Sequence, residues 1–193
     1  MTPDLTLERA SGCTEVKETS LLSEGAFSVT EQIVTQTIAV EEFRRSTQAL
    51  WKEIFEPTGD GPHWILDTGT SLFETLSDIS AAEASIPVSK QSSNLAAQVN
   101  HTSYYIEALR EGIATNFQAK ADWDGSWQVG AVDDAQWQAL IDKLHANYDW
   151  FTQLATENDL WNEDYVGGAM AMIAHAAYHL GEIRQGIGVI RNR

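Results

Sequence analysis

Apolar residues recur at three- and four-residue intervals along most of the chain, and no strand-like alternation of useful length appears, so the pattern predicts helices alone. From Thr30, the positions Ile33, Val34, Thr37, Ile38, Leu50, Trp51, Ile54 and Phe55 predict a helix that stops before Pro57 and the turn residues TGDGP. A second helix carries Leu72, Phe73, Leu76 and Ile79, and Pro87 with its neighbouring serines marks a connection. Ser92 or Ser93 offers an N-cap for a third, which runs through His101 to about Leu109, or on to Phe117 across Gly112. Asp133 and Gln136 have the spacing of a capping box, and Trp137, Leu140, Ile141, Leu144, Tyr148, Phe151 and Leu154 make the clearest amphipathic stripe. The last helix, Tyr165 to Gln185, is rich in Gly and Ala and is expected to be the most buried, with Gly186 and Gly188 ending it. Residues 1–29 lack periodicity and read as an arm, ordered by packing on the body or on a second copy. The expected architecture is all-α: a four-helix bundle with an additional N-terminal helical segment, forming a single domain over residues 30–193.

Composition narrows the partners. At 193 residues and 43% hydrophobic content the chain can bury one core. Twelve Lys and Arg against 28 Asp and Glu give a formal charge of −16, which repels nucleic acid and anionic membrane surface. No apolar run approaches the roughly 20 residues needed to span a bilayer. The opening MTPDLTLERASGCTEVKETS has no apolar signal core, so no secretory address is expected. Cys13 is the only cysteine, which excludes an intramolecular disulfide and a thiolate zinc cluster and fits a cytoplasmic setting. The sequon Asn100-His101-Thr102 falls inside a helical pattern and reads as chance.

The candidate chemistry lies in AHAAYHLGEIRQ. At about 100° per residue, His175 and His179 fall within roughly 40° of each other on one helix face, one turn apart, a spacing that can grip a metal ion. Each imidazole alone also reads as an ordinary core residue, but in an Ala-rich stretch both lack local hydrogen-bond partners that a shared cation would replace. His101, far upstream on another helix, would supply a third nitrogen, leaving a coordination position open as catalytic sites do. HAAYH lacks the Glu of the HExxH proteases, and Gln98, Met172 and Ala176 stand where di-iron bundles carry Glu. Glu182 lies within roughly 20° of His175 in projection and reads as general base, outer partner, occasional fourth ligand or solvated charge. Arg184 and Gln185 read as surface or anchoring residues, and His145 is expected to border solvent. His63 reads as a surface histidine or one reaching a site mouth. Tyr104, Tyr105 and Tyr178 read as core or pocket wall, and Trp123 and Trp127 as a pocket cover or pins for their loop. No Ser-His-Asp arrangement, phosphate loop or dinucleotide fingerprint is present.

In these residues the chain resembles the DinB-like (DinB/YfiT-like) superfamily of metal-binding four-helix bundles. The likeness covers roughly residues 61–186 and rests on GPHWILDTGTSLFETLSDISAAEAS, NLAAQVNHTSYYIEALREG, DGSWQVGAVDDAQWQAL and HAAYHLGEIRQ. It implies that His101, His175 and His179 hold a divalent ion, zinc or nickel, and that the protein forms a homodimer. Characterised members of that superfamily include S-transferases and isomerases in which a metal activates a low-molecular-weight thiol. The expectation is a metal-dependent transferase, isomerase or hydrolase acting on a small molecule, possible thiol dependence included, with Glu182 moving protons or orienting a ligand. The alternative is a non-catalytic helical dimer that binds metal or a small ligand.

Overall fold

The computed structural model describes residues 37–158 and 161–193. The arm over residues 1–29, Cys13 and the helix expected over residues 30–36 lie outside the described residues. Among the described residues the protein is all-α, with α1 Val40–Phe55, α2 Leu72–Ser77, α3 Ala81–Ala84, α4 Leu95–Ala114, α5 Asp134–Glu157 and α6 Glu163–Arg191. A short 3-10 turn covers Gly125–Trp127, and the sole extended pairing there is an isolated bridge between Pro87 and Asn94. No helix among the described residues is long and apolar enough to cross a membrane. The long helices α1 and α4 each pack against both α5 and α6.

Local chemistry places the helix ends, and several differ from the periodicity. The α1 helix starts at Val40 rather than Thr30. Thr37 to Ala39 are not helical, and Ile38 is three-quarters exposed. The β-branched Thr37 and Ile38 are poor helix formers, whereas Glu41 and Glu42 favour the positive end of a first turn. The helix expected across Leu72 to Ile79 stops at Ser77, and a second short one, α3, begins beyond it at Ala81. Ser71 with Glu74 and Ser80 with Glu83 form separate capping boxes. Asn94, not Ser92 or Ser93, caps α4, its side-chain oxygen accepting from Ala97 N at 2.8 Å. Asp133 and Gln136 make the expected capping box at the start of α5.

The glycines near the end of α6 do not terminate it. Gly186 is buried inside the helix, where a Cβ would sit 2.8 Å from Leu95 Cδ2 and 3.0 Å from Val88 Cγ2. Close approach of α6 to α4 and its leading loop explains this glycine. The most buried helix is also not α6: nine of its twenty residues are buried in α4, against eight of twenty-nine in α6. The Gly and Ala that α6 carries form an exposed side, with Ala171, Ala174, Gly181 and Gly188, as well as a packed one, with Ala169, Ala176 and Gly186.

The core between α1 and α5 is aromatic. Trp51 is 1% exposed and lies 4.2 Å from Phe55, 4.5 Å from Phe151 and 5.9 Å from Tyr148 between ring centroids. Such ring pairs add about 0.5–1.5 kcal/mol beyond burial. Trp137 Nε1 donates to Ile79 O at 2.8 Å, which ties α5 to the α2–α3 region.

Candidate metal centre

The α4 and α6 helices pack together and bring His101, His175 and His179 to one point. Their ligand nitrogens all lie within 4.8 Å of one another. His175 Nε2 is 3.0 Å from His179 Nε2 and 3.3 Å from His101 Nε2. Two nitrogens about 2.0–2.1 Å from a zinc ion at a tetrahedral angle stand about 3.3 Å apart. The spacing therefore fits a shared divalent ion.

Outer hydrogen bonds fix which nitrogen of two rings faces inward. The Ser126 hydroxyl donates to Trp123 O at 2.6 Å, so its oxygen accepts from His101 Nδ1 at 2.7 Å and leaves the Nε2 lone pair inward. His179 Nδ1 lies 2.9 Å from Glu182 Oε2, which can only accept, and 2.8 Å from Gln98 Nε2; the charged carboxylate is the stronger partner, so Nδ1 donates to it and the Nε2 lone pair also faces inward. One proton on His175 Nε2 cannot satisfy both lone pairs in good geometry. A cation satisfies all three nitrogens. Burial, then the neighbouring His179, pulls His101 down to about 4, and burial with both neighbours pulls His175 down to about 3. Burial also lowers His179 against the opposing pull of Glu182. All three rings are therefore neutral at neutral pH, the form that binds metal.

The surroundings hold these rings in place. Trp127 stacks on His101 at 4.0 Å between centroids and Tyr105 on His175 at 3.7 Å. The loop that carries Trp127 is shaped by a turn in which Gly125 N donates to Asp122 Oδ1 at 2.9 Å, and a Cβ on Gly125 would collide with that same carboxylate. Asn100 Nδ2 donates to Ser126 O at 2.7 Å, so neighbouring residues of α4 both grip Ser126. Gln98 donates to Glu182 Oε2, and the Tyr178 hydroxyl donates to Glu182 Oε1 at 2.6 Å.

Glu182 thus contacts His179 through the far side of the ring and is not in the nitrogen cluster. Both its oxygens are engaged, an arrangement suited to orienting His179. Of the tyrosines, Tyr104 accepts from Asp122 N at 2.6 Å and pins the loop, whereas Tyr105 and Tyr178 touch the site. Trp123 sits edge-on to His101 at 6.4 Å and is 45% exposed. His145 is exposed and stacks on Phe73, and His63 Nε2 bonds Gly59 O within its own loop. Arg184 reaches Thr70 O and Thr75 Oγ1 as an anchor. Sequence reasoning overlooked Ser126, which sits in an aperiodic loop with no spacing to betray it. It also passed over Gln98 as a positive feature, although its position three residues before His101 signals the same helix face.

A cavity of about 550 Å³ borders the centre and is walled there by Gln98, Trp127, Tyr178, His179 and Glu182. A smaller one of about 230 Å³, between Leu109, Phe151 and Trp161, has no cluster of metal-ligating side chains among the described residues. Comparison with protein-family models, curated proteins and solved structures gives no match.

Proposed function

We propose that the protein is a metal-dependent enzyme acting on a small molecule, with His101, His175 and His179 as the ligands of a zinc or nickel ion. The convergence of three neutral Nε2 atoms at 3.0 and 3.3 Å carries this reading. A divalent ion bound by three nitrogens supplies Lewis acidity, lowering the pKa of a bound water or thiol. Glu182 orients His179 and holds the proton of its Nδ1, while Gln98 and Tyr178 fix the carboxylate. Trp127 and Tyr105 cover the ring faces and limit the entry of water around them. The pairing of long helices and the ligand positions support a DinB-like four-helix bundle, and with it a thiol-dependent transferase, isomerase or hydrolase that works as a homodimer.

The test starts from the untagged full chain loaded with zinc or nickel. Metal analysis is expected to find one ion per chain that His175→Ala and His179→Ala lose. Turnover of a thiol with an electrophile, lost in the same variants, supports the enzyme. A retained ion with no turnover of any thiol or ester favours the binding protein instead, and failure to take up either ion overturns the site.

A further inference from the structure

Ser126 is 3% exposed, and each of its polar atoms has a partner. Its N–H donates to Asp122 O at 3.1 Å, its carbonyl accepts from Asn100 Nδ2 at 2.7 Å, and its hydroxyl gives its one proton to Trp123 O at 2.6 Å. A carbonyl cannot donate, so the hydroxyl has lone pairs alone to offer His101 Nδ1 at 2.7 Å. The turn is therefore complementary to one tautomer of His101, that protonated on Nδ1. The same tautomer presents a lone pair on Nε2 to a metal.

The inner edge of the ring favours the other tautomer unless a cation sits there. His101 Nε2 faces His175 Nε2 at 3.3 Å, and His175 Nε2 faces His179 Nε2 at 3.0 Å as well. A proton on His101 Nε2 would serve His175 but set a lone pair on Nδ1 against the lone pairs of Ser126 Oγ. The hydroxyl would then have to release Trp123 O or lose His101. With a divalent ion on the inner lone pairs the conflict is gone, and the proton stays on Nδ1 for Ser126.

The next residue extends the effect of this bond to the cavity. Trp127 stacks on His101 at 4.0 Å between centroids and walls the cavity beside His179. Other ties between this loop and α4 bypass the ligands. Tyr104 Oη accepts from Asp122 N at 2.6 Å, Asn100 holds Ser126 O, and Asn94 Nδ2 donates to Gly130 O at 2.8 Å. They keep the loop on α4 in any state of the centre, and the contacts with His101 are left to respond to the ion.

We infer that Ser126 is a positioning residue of the metal centre and that the coupling runs both ways. Ser126 holds His101 in the ligating tautomer, and the bound ion in turn fastens the turn Gly125–Trp127 that walls the cavity. Linked equilibria are reciprocal, so the factor by which the closed turn tightens the ion is the factor by which the ion suppresses opening of the turn. The inference rests on the metal reading for the ion, and on the hydrogen bonds of Ser126 for the rest.

Zinc affinity and amide hydrogen exchange of the full chain test the two directions. Ser126→Ala is expected to weaken zinc by about tenfold or more in competition with a chromophoric chelator. In the wild type, zinc is expected to slow exchange of the Ser126, Trp127 and Gln128 amides by a similar factor. These amides are bonded to Asp122 O, Asp124 O and Gly125 O, within the turn. The Gln118 amide, bonded to Thr115 O in the same connection but outside the turn, is expected to exchange at an unchanged rate. In Ser126→Ala the zinc-dependent slowing at Trp127 and Gln128 is expected to vanish. The wild-type exchange needs no substitution and decides the matter even if Ser126→Ala fails to fold. Turn amides that ignore zinc, or a Gln118 amide slowed equally, overturn the inference while the metal reading stands, as does an unchanged zinc affinity in Ser126→Ala. A wild type that takes up no zinc strikes the metal reading, and the inference with it.

Discussion

His179 donates from Nδ1 to the carboxylate of Glu182 at 2.9 Å while its Nε2 faces that of His175 at 3.0 Å. One ring thus has its tautomer set by a group three residues further along the same helix. Removing the charge should leave the ring in place but make it a weaker and less well oriented ligand. Glu182→Gln is expected to lower metal affinity by about 10–100-fold, the usual cost of losing such an outer partner. Competition against a chromophoric chelator measures it, and an unchanged affinity would remove Glu182 from the site.

Trp51 packs among Phe55, Tyr148 and Phe151 with almost none of its surface exposed. Trp51→Ala leaves a large void between α1 and α5 and is expected to cost about 3–5 kcal/mol in urea unfolding. A loss below about 1 kcal/mol, typical of surface changes, would contradict the packing described.

Two glycines of α6 should respond in opposite directions to the same change. Gly188 faces open space, so Gly188→Ala is expected to stabilise the helix by about 0.5–1 kcal/mol. At Gly186 the new methyl meets Leu95 and Val88, and overpacking of about 1–3 kcal/mol should outweigh the helical gain. Thermal melts of the two variants provide the comparison. The same sign at both positions would show that α6 does not approach α4 as described.

Acid should uncouple Arg191 from its partners. The Arg191 guanidinium, followed by the Ser80 backbone and hydroxyl, lowers Glu83 from 4.5 to about 2. A depressed carboxylate contributes stability that is present above 4.5 and lost as pH falls towards about 2. The stability difference between the wild type and Glu83→Gln is therefore expected to be steady above pH 5 or so, and to shrink over that acid window. Because the pair is exposed, high salt should reduce the difference as well. A difference that grows on acidification would contradict the assignment.

Much of this site is legible in the sequence because it rides on helical periodicity. His175 and His179 declare their shared face by spacing, and His101 joins them once α4 and α6 are known to pack. The Asp133 capping box is equally local and appears as expected. What the periodicity misstates are ends and interruptions. The separate starts of α2 and α3 depend on which capping boxes form, the continuation of α6 through Gly186 depends on space between helices, and α1 begins after Ala39 with no side-chain cap to mark it. Ser126 escapes for a different reason. Its role comes from a turn whose position over His101 is a tertiary fact, with no recurring pattern to signal it.

The nitrogens of His101 and His175 stand 74 positions apart along the polypeptide. An ion gripped by both would act as a rivet between distant parts of the chain, absent from the unfolded form. Under mass action the molecule's resistance to heat would then track how much free metal surrounds it, rising by about 2.7 kcal/mol at a hundredfold excess over the dissociation constant. Scarcity of that ion would shorten the lifetime of the protein as well as empty its histidine site.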